Sequence, residues 1–229
     1  MYARTLPLFG ESGTEKIKNA RVALFGVGGV GGHAAEALVR GGIGGLTVID
    51  GDVFSPSNLN RQRFATLSVI GKNKALVAKE ALSDINASAE ITAVPEFFKV
   101  GDHFDFASYD YILDAVDDIR AKEDIIVRSH AAGIPLVCAC GAGNKLDPTR
   151  FRVADVFSTS VCPLARALRK ICRAHGIESL KVVYSEEEPL KTPSAPASVS
   201  FVPGVMGMIM AGEVLRSIAE NRCPVRRGS

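Results

Sequence analysis

The stretch Arg21-Val-Ala-Leu-Phe-Gly-Val-Gly-Gly-Val-Gly31, followed nineteen residues later by Asp50, decides the fold. An apolar strand runs into a turn carrying Gly26, Gly28, Gly29 and Gly31, and a helix follows. Glycines serve such a turn because a side chain would keep backbone N–H groups away from a phosphate at the helix N-terminus. An acidic residue about 20 positions on can hydrogen-bond a ribose hydroxyl. A tight strand–helix turn without a ligand is the alternative. The pairing of the glycines with Asp50 favours a nucleotide.

Outward from this turn the chain alternates strand and helix. Strands are predicted at Val22–Val27, Leu46–Asp50, Glu90–Pro95, Tyr111–Val116 and Leu136–Cys140. Helices are predicted at Val30–Arg40, Lys74–Ile85 and Ala121–Ala132, the second with Val77, Ala78, Ala81, Leu82 and Ile85 at helical spacing. Such alternation implies an α/β fold, a Rossmann-like doubly wound, mainly parallel sheet with right-handed crossovers. Shorter strand signals at Phe151–Val156, Lys181–Tyr184 and Val199–Val202 predict a small antiparallel C-terminal extension. An apolar helix, Val205–Ala219, is expected to pack on the sheet. At 229 residues the whole chain, 1–229, reads as a single domain, with 151–200 as a substrate-facing extension.

The glycine turn fits NAD, FAD and ATP alike, so the downstream polar residues discriminate. Asn58, Arg61 and Lys74 follow the second strand, and Asp117 falls at the carboxyl end of the fourth. A dehydrogenase has little use for cations converging beside the phosphates. Reaction at the α-phosphate of ATP needs them, to neutralise the charge that builds as pyrophosphate leaves. A carboxylate at Asp117 suits Mg²⁺, which binds through one or two carboxylates plus substrate phosphates.

In order and spacing, Gly26–Gly31, Asp50, Asn58, Arg61, Lys74 and Asp117 resemble the ubiquitin-activating-enzyme-like adenylyltransferases. Gly141-Ala-Gly-Asn-Lys-Leu-Asp-Pro-Thr149, Ala154-Asp-Val156, Cys162-Pro-Leu-Ala165, Lys181–Ser185 and Ser200–Pro203 narrow this to a resemblance to the tRNA threonylcarbamoyladenosine dehydratases. The similarity runs from about Arg4 to about Ile218. It implies ATP with its phosphates on the Gly26, Gly28, Gly29 and Gly31 turn and its ribose on Asp50. Lys74 and Arg61 then bracket the phosphates, Asn58 orients them and Asp117 holds Mg²⁺. It implies a homodimer in which Arg4 reaches the other subunit's ATP site. The implied reaction adenylates the carboxylate of a threonylcarbamoyl group on tRNA, after which the substrate's own carbamoyl nitrogen closes a ring and releases AMP. Cysteine-desulfurase-type accessory proteins and a monovalent cation near the Gly141–Pro148 turn are further implications.

Composition agrees with a globular enzyme: 47% hydrophobic and 23% charged, with no low-complexity tract. The N-terminus shows no basic segment followed by an apolar signal core, and the longest apolar stretch, Phe201 to Gly212, falls short of the roughly 20 residues of a spanning helix. A cytoplasmic protein without membrane attachment is expected. The five cysteines form no CxxC pair, which argues against structural zinc. Cys138 and Cys140 read as small packed hydrophobes. Cys162 opens a helix whose dipole can depress its thiol pKa. The four histidines show no metal spacing. Glu186–Ser198 reads either as a lid or as a plain solvated connection.

Arg166, Arg169, Lys170 and Arg173 lie at i, i+3, i+4 and i+7, forming a basic stripe opposite Leu164, Leu168, Ile171 and Cys172. Such a stripe is either a solvated face or, given the resemblance, a contact for tRNA phosphates, extended by Arg222, Arg226 and Arg227. The net charge of +2 does not decide between them, because local field matters more than global charge. Two other functions remain open. One is activation of a sulfur-carrier or ubiquitin-like protein's C-terminus, with Cys162 relaying a thioester; the other is an NAD-dependent oxidoreductase or a nucleotide-sensing binding module.

Overall fold

The first strand grows from the Arg21–Phe25 run, whose alternate residues face two different helical layers. In the computed structural model, which describes residues 2–192 and 197–220, the elements follow in this order: α1 (Leu6–Asn19), β1 (Arg21–Phe25), α2 (Gly31–Arg40), β2 (Gly45–Ile49), α3 (Lys74–Ile85), β3 (Glu90–Val94), β4 (Tyr111–Asp114), α4 (Ile119–Ala131), β5 (Leu136–Ala139), β6 (Phe151–Asp155), α5 (Pro163–Ala174), β7 (Lys181–Ser185) and α6 (Phe201–Ala219). They build one seven-stranded sheet in the order β3-β2-β1-β4-β5-β7-β6. Every neighbouring pair is parallel except β6–β7, in which Phe151 lies opposite Ser185.

The period of two along each strand sorts the core into layers. Val22 and Leu24 of β1, Val137 of β5 and Val183 of β7 join the cluster containing α2, α3 and α6 residues. Ala23 and Phe25 turn to the other face, where an aromatic cluster lies. Cys138 and Val182 also turn that way, against Ala165, Leu168 and Cys172 of α5. This burial on both faces explains why the central strands read as apolar runs rather than alternating ones.

Beneath the second face sits a buried ion pair, Lys122 Nζ to Asp114 Oδ2 at 2.7 Å, with both side chains 0% exposed. Lys122 also donates to the Ala139 carbonyl at 3.2 Å. Burial alone would drive the lysine toward neutrality, but Asp114 and the neighbouring thiols hold its pKa above the ordinary value.

Three expectations change. Val199–Val202 is no strand, because Phe201 begins α6 and Pro203 falls in its first turn, where a missing N–H leaves no hydrogen bond unmade. The extension is antiparallel only at β6, since β7 runs parallel to β5. Helix α6 ends at Ala219 as expected but starts at Phe201 rather than Val205, making 19 residues with a window of mean hydropathy 1.3, so it does not fall short of the length and apolarity needed to cross a membrane. It is a core helix nonetheless, for 61% of that window is buried in the protein. Glu213 is accommodated by ion pairs with Lys181 at 2.6 Å and Arg216 at 3.0 Å.

Helix α1 has no counterpart among the sequence expectations. Gly10 breaks it with φ 69°, and Pro7 and Gly13 dilute its helical pattern. Gly13 is needed for packing, as a Cβ there would sit 3.2 Å from the Ala219 Cβ of α6.

Candidate active site

The carboxyl ends of β1, β2 and β4 open into one cleft of about 400 Å³. It lies where connections leave β1 and β4 in opposite directions, the place where open α/β sheets bind ligands. Gly26, Gly28, Gly29, Asp50, Arg61, Lys74 and Asp117 all line it. Gly26 has φ 87°, and a Cβ on it would meet the Ala115 carbonyl at 2.8 Å. Gly28 and Gly29 have no neighbour closer than 3.4 Å to that position, which leaves their backbone open to a ligand.

Two predicted ligand residues do other work. Gly31 does not line the cleft; a Cβ on it would lie 1.8 Å from the Gly26 carbonyl oxygen, so it is glycine to let the turn close. Asn58 is 7% exposed and is also absent from the lining. Its Oδ1 accepts the Ser55 N–H at 3.0 Å, capping the Pro56–Asn58 turn. An asparagine side chain mimics a backbone turn readily, so its spacing from the glycines was a signal of local structure. Arg4 is exposed and lies outside the lining.

The charged groups in the cleft differ in how far the protein already engages them. Burial pushes the Asp50 carboxyl up despite hydrogen bonds from Val27 N–H at 2.7 Å and Asp52 N–H at 2.9 Å. Lys74 begins α3 with a nearly buried side chain and pairs with Asp52 at 2.5 Å. Burial alone would raise the Asp52 carboxyl, but Lys74 and the Val53 N–H bring it below its ordinary value. Arg61 donates to the Ser57 carbonyl at 2.8 Å and to Asn60 Oδ1 at 2.9 Å, from a half-buried position. Asp118 caps α4 by accepting from Arg120 N–H at 2.9 Å and Ala121 N–H at 2.8 Å. Asp117, exposed beside it, makes no hydrogen bond or ion pair among the described residues. Its carboxylate is therefore free for a ligand. No group of three or more histidine, cysteine or acidic residues converges as a metal site among the described residues.

Several lining residues went unrecognised in the sequence: Asp52, Gln62, Phe97, Phe98 and Asp118. Phe97 is exposed, whereas Phe98 is held by tertiary contacts. Phe98 packs against Phe25 at a ring separation of 4.9 Å, and the Arg128 guanidinium lies 4.7 Å over Phe106 while donating to the Phe104 carbonyl at 2.8 Å. Nothing in the local pattern of 96–106 reveals that contact.

The basic helix is less uniform than its sequence. Arg166, Lys170 and Arg173 are exposed, with Arg173 5.5 Å over the Phe157 ring. Arg169 turns inward, donating to the Val156 carbonyl at 3.2 Å, the Thr159 carbonyl at 3.1 Å and the Thr159 hydroxyl. It anchors a turn and is withdrawn from the stripe. Arg222, Arg226 and Arg227 lie outside the described residues. The segment from Glu186 onward is tied down before residue 193: Glu187 accepts from Leu146 N–H and Asp147 N–H, both at 2.9 Å. Ser198 lines the cleft, and residues 193–196 lie outside the described ones.

Cys162 precedes α5 and is buried. The Cys140 thiol donates to it, and backbone N–H groups of Ala165, Gly141 and Leu164 add to this, so its pKa falls to about 5 despite burial. Cys140 and Cys138 are pushed well up, Cys140 chiefly by its bond to Cys162 and Cys138 by burial.

This glycine turn, with its acidic strand end and basic flank, belongs to the ThiF family, whose model matches residues 2–228. Within it, the chain is 36% identical over 241 residues to the tRNA threonylcarbamoyladenosine dehydratase of Bacillus subtilis, covering 96% of this chain and 95% of that one. The dehydratase of Escherichia coli is 38% identical over 171 residues, a match spanning 74% of this chain and 64% of the relative. The solved E. coli dehydratase in complex with ATP superimposes with a TM-score of 0.89 at 31% identity, covering 99% of this chain and 96% of that one.

Proposed function

We propose that this protein is an ATP-dependent tRNA threonylcarbamoyladenosine dehydratase acting as a homodimer. The observation that carries the reading is the convergence of Gly28, Asp50, Arg61, Lys74 and Asp117 on one cleft. It occurs in a chain similar over nearly its whole length to a dehydratase. The substrate carboxylate attacks the α-phosphate, forming an acyl-adenylate and expelling pyrophosphate. Lys74 and Arg61 neutralise the charge that develops on the leaving group. The free carboxylate of Asp117 would hold Mg²⁺, which when bound would supply positive charge to offset that of the phosphates. Next the substrate's carbamoyl nitrogen attacks the activated carbonyl, the nitrogen's proton is lost and AMP departs, so the net change is loss of one water. Nucleophile and electrophile share one molecule, so holding them in place supplies much of the rate.

Arg4, exposed and outside the lining of its own cleft, would serve the partner subunit's site in such a homodimer. Arg166, Lys170 and Arg173 offer tRNA phosphates a sequence-independent contact. The burial of α6 supports a core rather than a membrane role for that helix, and a cytoplasmic location is part of the proposal. A monovalent cation at the Gly141–Pro148 turn and cysteine-desulfurase-type accessory partners complete the proposal. Incubation of purified protein with ATP, Mg²⁺ and threonylcarbamoylated tRNA, followed by nucleoside mass analysis, tests it. A nucleoside lighter by one water, formed only with ATP, is expected.

One observation favours a second reading, in which a protein C-terminus is activated and Cys162 relays it: a thiol with a pKa of about 5 is a thiolate at neutral pH. Its burial counts against that role. Intramolecular ring closure needs no acyl-enzyme, so Cys162→Ser is expected to keep most of the cyclising activity. Complete loss in a folded variant would favour the relay.

A further inference from the structure

Among the described residues three buried side-chain atoms lack a hydrogen-bond partner: Thr14 Oγ1, Gln62 Oε1 and Ser129 Oγ. Of these residues Gln62 alone lines the nucleotide cleft. A buried polar group left unpaired lowers the stability of the empty protein, and native structures keep few of them without a use. The backbone of Gln62 is fixed, donating to the Asn58 carbonyl at 2.9 Å and accepting from Ala65 N–H at 3.1 Å. Next to it Arg63 is ion-paired with the nearly buried Glu36. The side-chain Nε2 of Gln62 lies 3.8 Å from where a Cβ on Gly28 would be, so the side chain reaches the open part of the glycine turn.

We propose that Gln62 contacts the second substrate: its amide oxygen accepts a hydrogen bond from an N–H of the acyl group once nucleotide is in place. The inference rests on the dehydratase reading and adds a residue that positions the nucleophile. Chemistry selects the donor. Phosphate oxygens beside the glycine turn only accept. The donors of ATP are its base amine and ribose hydroxyls; the ribose belongs with Asp50, on the next strand, and the base extends from the ribose away from the phosphates. A threonylcarbamoyl group carries N–H donors a few bonds from the carboxylate that must meet the α-phosphate. The terminal torsion of glutamine is broad, so the amide can turn its oxygen toward the cleft without moving the backbone. A site built to pair with a substrate N–H discriminates strongly, because without that substrate its polar group stays unpaired.

The test compares wild type with Gln62→Leu and Gln62→Met, both of similar volume and lacking the amide. Melting with and without ATP and Mg²⁺ is measured, together with turnover of threonylcarbamoylated tRNA at varied tRNA and Mg²⁺. The variants are expected to melt about 2–4 °C higher when empty, because an unpaired buried group is gone. They should bind ATP within about twofold of wild type and lose about 10- to 100-fold in kcat/KM for tRNA, the range of one lost hydrogen bond to substrate. Unimpaired tRNA turnover overturns the inference. So does an equal loss of ATP affinity, which would make Gln62 a nucleotide contact. Recovery at high Mg²⁺ also overturns it, since a metal-bound water would then be the donor. Should one variant fail to fold, the other gives the same comparison. If wild type itself does not act on this tRNA, the functional reading falls and this inference with it; active wild type beside unimpaired variants overturns this inference alone.

Discussion

Replacing Lys74 by methionine separates charge from packing at the centre of the cleft. The ammonium sits at the start of α3 with its side chain 6% exposed, 2.5 Å from an Asp52 carboxylate that is itself 51% exposed. Methionine keeps most of the aliphatic stem, so the loss is almost wholly electrostatic. Asp52 can rehydrate, and partners that reach water contribute little to stability. The expected destabilisation is under about 1 kcal/mol. Catalysis should suffer far more. A unit charge about 4 Å from a developing phosphate charge, at an effective dielectric constant of about 20, interacts by about 4 kcal/mol. Removing one preformed donor from a developing oxyanion typically costs about 2.7–4 kcal/mol. Both figures place the fall in kcat at about 10²- to 10³-fold. The assay is ATP-dependent turnover of threonylcarbamoylated tRNA beside thermal melting of the same preparation. Turnover within threefold of wild type would refute the assignment of Lys74 to the phosphates. A collapse in melting temperature matching the loss of activity would show that the Asp52 pair serves the fold.

Asp117→Ala should abolish turnover while leaving the melting temperature near that of wild type, because the exposed carboxylate has no described partner to lose; near-normal rates at saturating Mg²⁺ would sink its role as metal ligand. Arg166→Glu combined with Lys170→Glu should weaken tRNA binding and flatten its dependence on salt, as released counterions set that slope. Arg169→Ala should instead lower stability, having lost the Val156 and Thr159 carbonyls, and identical salt slopes for wild type and the double variant would leave the stripe a solvated face. Glu36, held below its ordinary pKa by the Arg63 hydrogen bond and secondarily by Arg40, tests the segment that carries Arg61 and Gln62. A depressed carboxyl stabilises the fold above its unfolded pKa of 4.5 and loses that contribution as pH falls through the folded value. Glu36→Gln should therefore destabilise by about 1–3 kcal/mol at pH 7, and the gap between variant and wild type should close as pH falls from 4.5 through the lower folded value; a gap independent of pH would refute the ionic account.

The layered α/β architecture was legible in the sequence because it rests on local rules. Apolar strands buried on both faces, helical spacing in Lys74–Ile85 and the glycine turn at Gly26–Gly29 are each specified by residues close together in the chain. For the same reason Asp50, Lys74 and Asp117 were legible, since each stands at the end of a strand or the start of a helix, and a parallel sheet collects those ends on one side. Only tertiary structure decided the rest. Asn58 and Gly31 were assigned to the ligand by spacing, yet packing commits one to a cap and the other to closing a turn. Arg169 shares a helical stripe with Lys170 but finds carbonyls from another segment. Phe98 enters the cleft through partners distant in sequence, Phe25 and Arg128. Local patterns encode backbone conformation and the face a residue takes, whereas the partner that a polar group finds is settled only when the remote parts of the chain have packed.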